Sequence, residues 1–298
     1  MPKKLLFIFN PHSGKGQIKN NLLDILNIFT HAGYDVTARP TQAPMDAYVY
    51  VTQNGKTFDR IVVSGGDGTL NETVKGLMTF SASARPPLGY IPAGTTNDFA
   101  AALNIPKNMI AAAQIAAGEN SFKCDIGRFN GEYFNYVAAF GAFTDVSYET
   151  PQSVKSILGH GAYVLEAIKR LPSLSPHKVT IRHDSGISQE NVALCIVLNS
   201  THVGGIHADG KLEDISLNDG LFELLVFKHA DNIMDFQSTI SGIMKGEQCG
   251  KGYMILKSSK FDFESDSEIE WTLDGEYGGR EQKASIEVIP KAITYIVP

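Results

Sequence analysis

The densest chemistry in the chain lies in Ser64-Gly65-Gly66-Asp67-Gly68-Thr69, where three glycines surround one carboxylate. Glycine lets the backbone turn with φ > 0 and approach a bound anion closely. A helix that starts just after such a turn offers the anion its unpaired N–H groups and the positive end of its dipole. The apolar run Ile61, Val62 and Val63 precedes the turn and a helix start follows it, so the pattern predicts a strand, a phosphate-sized turn and a helix. Asp67 repels a bare phosphate. Its presence calls for a cation bridging it to phosphates, or for a reacting hydroxyl whose proton it influences. Asp-Gly is also ordinary turn chemistry after a strand, so the segment is informative only in company.

Two further turns supply that company. Asn10-Pro11-His12-Ser13-Gly14-Lys15-Gly16 follows the apolar run at 5–9 and precedes Ile18, Leu22, Leu23, Leu26 and Phe29 at helical spacing. A Walker A loop needs a glycine where Phe9 stands and a Ser or Thr where Gly16 stands, which disfavours a P-loop kinase. Neither turn carries G-x-G-x-x-G at the proper offset, which disfavours a Rossmann dehydrogenase. The third segment runs from Leu88-Gly89-Tyr90-Ile91 through Pro92-Ala93-Gly94-Thr95-Thr96-Asn97-Asp98-Phe99 into an alanine-rich helix at 97–103.

With these three segments in this order, the chain resembles the bacterial diacylglycerol kinase and lipid kinase family, related to sphingosine kinases. Cys124-Asp125-Ile126-Gly127, Asn218-Asp219-Gly220-Leu221 and Leu273-Asp274-Gly275-Glu276 match the family's later motifs, so the resemblance spans nearly the whole chain. It implies an ATP-dependent lipid kinase that transfers the γ-phosphoryl group to a lipid hydroxyl, diacylglycerol giving phosphatidic acid, with Mg²⁺ required. An NAD kinase, which shares the Gly-Gly-Asp-Gly-Thr turn, and a catalytically silent lipid-binding relative are the alternatives.

The resemblance also implies roles. Asn10, Pro11, Ser13, Gly14, Thr41, Gly65, Gly66, Asp67, Gly68, Thr69, Leu70, Asn71, Thr95 and Asn97 hold the nucleotide. Asp67, Asp98 and Asp125 organise a network of carboxylates, water and Mg²⁺. Asp274 and Glu276 form the catalytic segment, either being a candidate for the general base; Asp-Gly after Leu273 is equally a hairpin signal. Successive strand residues alternate faces, so the two carboxylates, two apart, are expected to share one face. A structural Mg²⁺ or Ca²⁺ is implied at the Asp219 carboxylate with the carbonyls of Ser216 and Leu221. Asp209-Gly210 reads as a plain turn. Where the family often has Arg after Asn97-Asp98-Phe99-Ala100, this chain has Ala101, which removes a cation near the phosphate or lipid entrance.

The elements that must position these residues change character near Asp125. Before it, apolar runs at 5–9, 35–39, 61–63 and 88–91 alternate with helical segments at 17–29, 45–53, 70–80, 97–103 and 107–117. That rhythm predicts an α/β fold with a doubly wound nucleotide-binding domain over residues 1–125 and ligands at the carboxyl ends of its strands. After it, short β-rich runs between 133 and 297, with helices near 152–170 and 231–244, predict a predominantly antiparallel β-sandwich over 126–298 that carries the lipid site. The active site is expected in the cleft between the two domains. With 298 residues, 43% of them hydrophobic and 19% charged, two ordinary globular domains are the natural division.

Partners follow from charge. A net charge of −6 disfavours nonspecific nucleic-acid binding. Three widely spaced cysteines without C-x-x-C read as reduced thiols of a cytoplasmic protein, and the apolar run at 5–9 is too short for a signal peptide and reads as a first strand. His202 and His207 tempt a zinc reading but lack further ligands at usual spacing. A lipid substrate demands peripheral, transient contact with the inner face of the membrane. Lys155, His160, Lys169, Arg170, His177 and Lys178, interleaved with Val154, Ile157, Leu158 and Ile168, suit a basic amphipathic helix that packs on its own domain and meets the interface. An exposed strand edge in the second domain is compatible with a homodimer. Changing Lys155, Lys169 and Arg170 together to Ala is expected to weaken binding to anionic vesicles by about 1 kcal/mol per charge with folding intact; unchanged vesicle affinity leaves the helix a purely internal one.

Overall fold

The computed structural model describes residues 2–95, 97–141, 175–199, 216–229, 249–250 and 252–298, and the backbone of 202–203 and 206–207. The amphipathic segment up to residue 174, the helix expected near 231–244, Asp209-Gly210 and Thr96 lie outside the described residues. The chain divides into two compact units, Met1–Asp125 with Pro290–Pro298, and Ile126–Ile289.

The first unit is built on parallel strands. It contains β1 (Lys3–Phe9), α1 (Ile18–His31), β2 (Tyr34–Pro40), α2 (Asp46–Asn54), β3 (Arg60–Gly65), α3 (Asp67–Met78), β4 (Leu88–Pro92), α4 (Asp98–Ala102) and α5 (Met109–Ala117). β1 pairs in parallel with both β2 and β3, and β3 with β4. The runs from Leu5 to Ile8 and from Ile61 to Val63 are completely buried, as parallel strands covered on both faces must be. Because neighbouring strands point the same way, the turns after β1, β3 and β4 all emerge at one end of the sheet.

The second unit is antiparallel. Its strands are β5 (Ser121–Phe129, entering from the first unit), β6 (Glu132–Phe134), β7 (Val137–Phe140), β8 (His177–His183), β9 (Gly186–Leu198), the two-residue strands β10 (His202–Val203) and β11 (Ile206–His207), β12 (Phe222–Lys228), β13 (Cys249–Gly250), β14 (Tyr253–Ser258), β15 (Lys260–Leu273) and β16 (Glu276–Ile296). The sequence leads one to expect two packed sheets. The ladders run on from β14 through β12 and β9 to β15 and β16, with β7 and β8 filling the gap between β9 and β15 one after the other. A register shift in β15 between Glu264 and Ile269 bends the long strand along a shared hydrophobic core. That core joins Phe222 and Leu224 of β12 to Ala284 and Ile286 of β16. Trp271, 1% exposed, sits among Phe129, Phe140 and Phe263 with ring centroids at 5.0, 4.8 and 5.1 Å.

The end of β16 corrects the expected boundary. Residues 290–298 belong to the first unit, where Tyr295 pairs in parallel with Leu88 and its ring meets Phe99 at 5.2 Å. Ala292, Ile293, Tyr295 and Ile296 are all buried there. The cause is the open edge of β4, a parallel partner far away in sequence that local periodicity cannot reveal.

One buried charge makes a pH signature. Glu223 on β12 is 1% exposed and meets Lys257 across the ladder at 2.9 Å. Burial pushes its carboxyl up to about 7, against the pull of Lys257 and with a smaller push from Asp219. A folded pKa above the unfolded one means that the native state gains stability below about pH 4.5 and loses it as the group charges towards pH 7. Glu223→Gln does not titrate. Its unfolding free energy, relative to the parent, is therefore expected to improve by on the order of 3 kcal/mol between pH 4 and pH 8, measured by urea denaturation; a pH-independent difference contradicts this.

Candidate active site

The three small-residue turns interlock. The Asn10 N–H donates to the Ser64 carbonyl and the Ala93 N–H to the Gly65 carbonyl, both at 2.8 Å, extending the parallel pairing past the strand ends. The Gly66 N–H donates to Ser13 Oγ at 3.0 Å. Gly14 has φ +56°, and a Cβ on it would collide with the Ala93 carbonyl oxygen. A Cβ on Gly94 would lie 2.7 Å from Gly66 Cα and 2.8 Å from Asn97 Oδ1. The backbones of these turns approach so closely that no side chain fits between them.

Asn97 shapes the third turn. At φ +55° it accepts the Gly94 N–H on Oδ1 at 2.8 Å and donates from Nδ2 to the Gly94 carbonyl at 2.7 Å. Its amide is engaged at both ends, and only 4% of the residue is exposed. It therefore holds the turn, whereas Thr95 beside it is exposed. Leu70, expected among the nucleotide residues, is completely buried and offers its N–H to the Gly66 carbonyl, so its side chain belongs to the core.

Beside the turns lies a pocket of about 330 Å³, lined by Asn10, His12, Thr41, the loop Gln42-Ala43-Pro44, and Gly68, Thr69 and Glu72 of α3. Asn10, Thr41, Gly68 and Thr69 were legible in the sequence. Asn10 Nδ2 reaches Thr69 Oγ1 at 3.4 Å, while Thr41 extends β2 with its N–H on the Phe9 carbonyl at 2.9 Å. His12, residues 42–44 and Glu72 were not foreseen as lining it. No glycine marks the loop after β2, and only the fold brings it opposite α3.

Asp67 and Asp98 are the first residues of α3 and α4, where a carboxylate complements the helix dipole. Both act on Tyr90: burial first, then the Asp67, Tyr295 and Asp98 charges, push its phenol well above the ordinary range. The Tyr90 hydroxyl donates to the Gly65 carbonyl at 3.2 Å. Asp125 is placed differently. It is completely buried on β5 and accepts the Lys291 N–H at 2.6 Å, which anchors the returning C-terminal segment. Among the described residues no group of three or more His, Cys, Asp or Glu side chains gathers as metal ligands.

In the second unit, Asp274 and Gly275 have φ +50° and +84° and join β15 to β16 as a two-residue hairpin turn flanked by the Leu273–Glu276 pair. The expectation that Asp274 and Glu276 share a strand face fails, because Asp274 is left-handed rather than extended. Its carboxylate is 7% exposed and accepts four N–H groups: Asn135 N and Nδ2 at 2.7 and 3.1 Å on Oδ2, and Tyr136 N and Val137 N at 3.0 and 3.2 Å on Oδ1. Glu276, the first residue of β16, is exposed. In the loop before β12, Asp219 Oδ1 accepts the Leu221 N–H at 3.0 Å around Gly220 at φ +78°, and Ser216 Oγ donates to Asn218 at 3.0 Å. The loop thus closes on its own groups as an Asx turn. His202 and His207 stand opposite each other in the β10–β11 ladder.

The glycine contacts give a direct test. Gly94→Ala must push aside Gly66 or Asn97, and is expected to weaken ATP binding at least about tenfold by calorimetry while the protein remains folded; full affinity would mean that the turns do not form the nucleotide site.

A model of the diacylglycerol kinase catalytic domain matches residues 4–129. A diacylglycerol kinase of Bacillus subtilis (strain 168) is 37% identical over 280 residues, covering 93% of this chain and 91% of that protein. One from Staphylococcus aureus (strain MRSA252) is 34% identical over 94% of this chain and 88% of its own. A crystal structure of a diacylglycerol kinase from Bacillus anthracis superposes with a TM-score of 0.83 at 28% identity, covering 100% of this chain and 97% of the other. With turns of this geometry and relatives of this identity along nearly its full length, the chain belongs to the diacylglycerol kinase family.

Proposed function

We propose that this protein transfers the γ-phosphoryl group of ATP to the hydroxyl of a lipid, diacylglycerol being the acceptor that its relatives' name supplies. The observation that carries the reading is the interlocked set of turns after β1, β3 and β4, set beside a pocket that reaches Thr41. The N–H groups of the first turn of α3, with those of Gly14 and Thr95, suit a polyphosphate, and the pocket, of the size of small-ligand sites, suits the nucleoside. The relatives favour this reading over an NAD kinase.

Mg²⁺ fits the same place. Asp67 and Asp98, the first residues of α3 and α4, put two hard oxygen donors next to the glycine turns. These two carboxylates would hold the ion, which when bound neutralises charge on the phosphoryl oxygens. Asp125, locked to Lys291, keeps a structural part in this reading.

The acceptor hydroxyl needs a base. Asp274 has its lone pairs committed to four N–H donors and is a poor proton acceptor, whereas Glu276 is exposed one turn residue away. On this reading the Glu276 carboxylate takes the hydroxyl proton as the lipid oxygen bonds to the γ-phosphorus, and the bond to the bridging oxygen breaks to release ADP with the electron pair. Asp274 positions the hairpin. Among the described residues no helix is long and apolar enough to cross a membrane.

Two substitutions separate these parts in a mixed-micelle assay of ATP turnover. Glu276→Gln is expected to lower kcat by roughly 10² to 10⁴ with ATP affinity and melting temperature unchanged. Asp274→Asn should in addition destabilise the fold by about 2–3 kcal/mol, since it weakens charge-assisted bonds to buried N–H groups. If Glu276→Gln keeps activity within about threefold, the base lies elsewhere; phosphorylation of NAD without lipid phosphorylation would sink the whole reading.

A further inference from the structure

The loop after β2 contains no glycine, yet it makes one wall of the pocket, and its shape is imposed by another element. Met45 stands at φ +66°, a left-handed conformation that a long side chain rarely adopts. Its N–H donates to Glu72 Oε1 at 2.8 Å, and the Ala47 N–H donates to Glu72 Oε2 at 3.3 Å. Within the loop, Asp46 Oδ2 accepts the Gln42 N–H at 2.9 Å. The Glu72 carboxylate thus caps the first turn of α2 from α3, whose own first residues form the phosphate turn. Gly68, Thr69 and Glu72 rise on one face of α3, and Thr41 to Pro44 face them across the pocket.

We infer that Glu72 is a positioning residue for the nucleoside end of the nucleotide site. It fixes the spacing between the 41–45 loop and α3 through the Met45 and Ala47 N–H groups, and it serves the nucleoside rather than the triphosphate. The inference rests on the nucleotide reading proposed above. Electrostatics sharpen it: a carboxylate near a polyanionic ligand is unfavourable, so removing Glu72 by itself favours phosphate binding. A loss of affinity on its removal therefore reports the loop and not the charge.

The test is calorimetric titration of the parent, Glu72→Ala, Glu72→Gln and Met45→Gly with Mg²⁺-ATP and, separately, with Mg²⁺-tripolyphosphate, which offers the phosphate turns everything but a nucleoside. Glu72→Ala is expected to weaken ATP about tenfold or more while tripolyphosphate stays within about twofold. At saturating ATP its kcat should remain within about threefold, so the change appears in KM. Glu72→Gln, which keeps one carbonyl acceptor, should fall between parent and Ala and decides the matter should the Ala variant fail to fold. Met45→Gly, which accepts the left-handed backbone freely, should bind ATP like the parent. Equal losses for both ligands would reduce Glu72 to a structural residue, and undiminished ATP affinity would overturn the inference outright while leaving the kinase reading intact. A parent that binds neither ligand overturns both.

Discussion

Everything in the first unit turns on how closely bare backbones can approach at the carboxyl ends of β1, β3 and β4. A methyl group on Gly94 would run into Gly66 Cα, and one on Gly14 into the Ala93 carbonyl. A parallel sheet delivers three consecutive strand ends to one place, and only residues without Cβ let the following turns share it. The contact brings the three turns to one rim, where α3 begins and offers the N–H groups of its first turn. The pocket beyond it exists because β2, on the other side of β1, sends its loop over the same rim.

Buried carboxylates in the second unit show how surroundings assign roles to one chemical group. Asp274 accepts two backbone N–H groups on one oxygen, and one backbone and one amide N–H on the other; three successive N–H groups of 135–137 form a nest for the anion. Asn199 holds the carbonyl side of that segment, donating from Nδ2 to the Asn135 carbonyl at 3.2 Å and from its N–H to the Tyr136 carbonyl at 2.9 Å. Glu223 has a single lysine across the strand, and its carboxyl rises to about 7. Four donors fix a charge in place, whereas one cation leaves burial dominant.

The sequence was most transparent where structure is local. Glycine turns after apolar runs announced β1, β3 and β4 and the helices that follow, because turn, helix start and anion site are written in adjacent residues. Asp274-Gly275 was legible in the same way as a hairpin. What stayed hidden depends on distant partners. The tail from Pro290 onward reads as one more strand of the second domain, but its place is set by the edge of β4 and by the Lys291 N–H on Asp125. The order of the strands in the second unit was hidden too, since alternation records which face is buried and not which strand is the neighbour. The wall at 42–44 and the cap from Glu72 had no local signature at all.

Residue identity in a family motif does not by itself tell a ligand-facing group from a framework one; the saturation of its hydrogen bonds does. Asn97 spends both ends of its amide on Gly94, and Asp274 spends four lone-pair directions on the 135–137 segment. Such groups are immobile, which makes them good at placing a neighbour and poor at accepting a proton. Thr95 and Glu276 each lie within two residues of one of these framework groups, and both are exposed. The framework residue occupies a left-handed turn position in both cases, at φ +55° and +50°. A turn held by its own side chain fixes the direction in which the chain enters the neighbouring residue, at Thr95 beside the glycine turns and at Glu276 beside the hairpin.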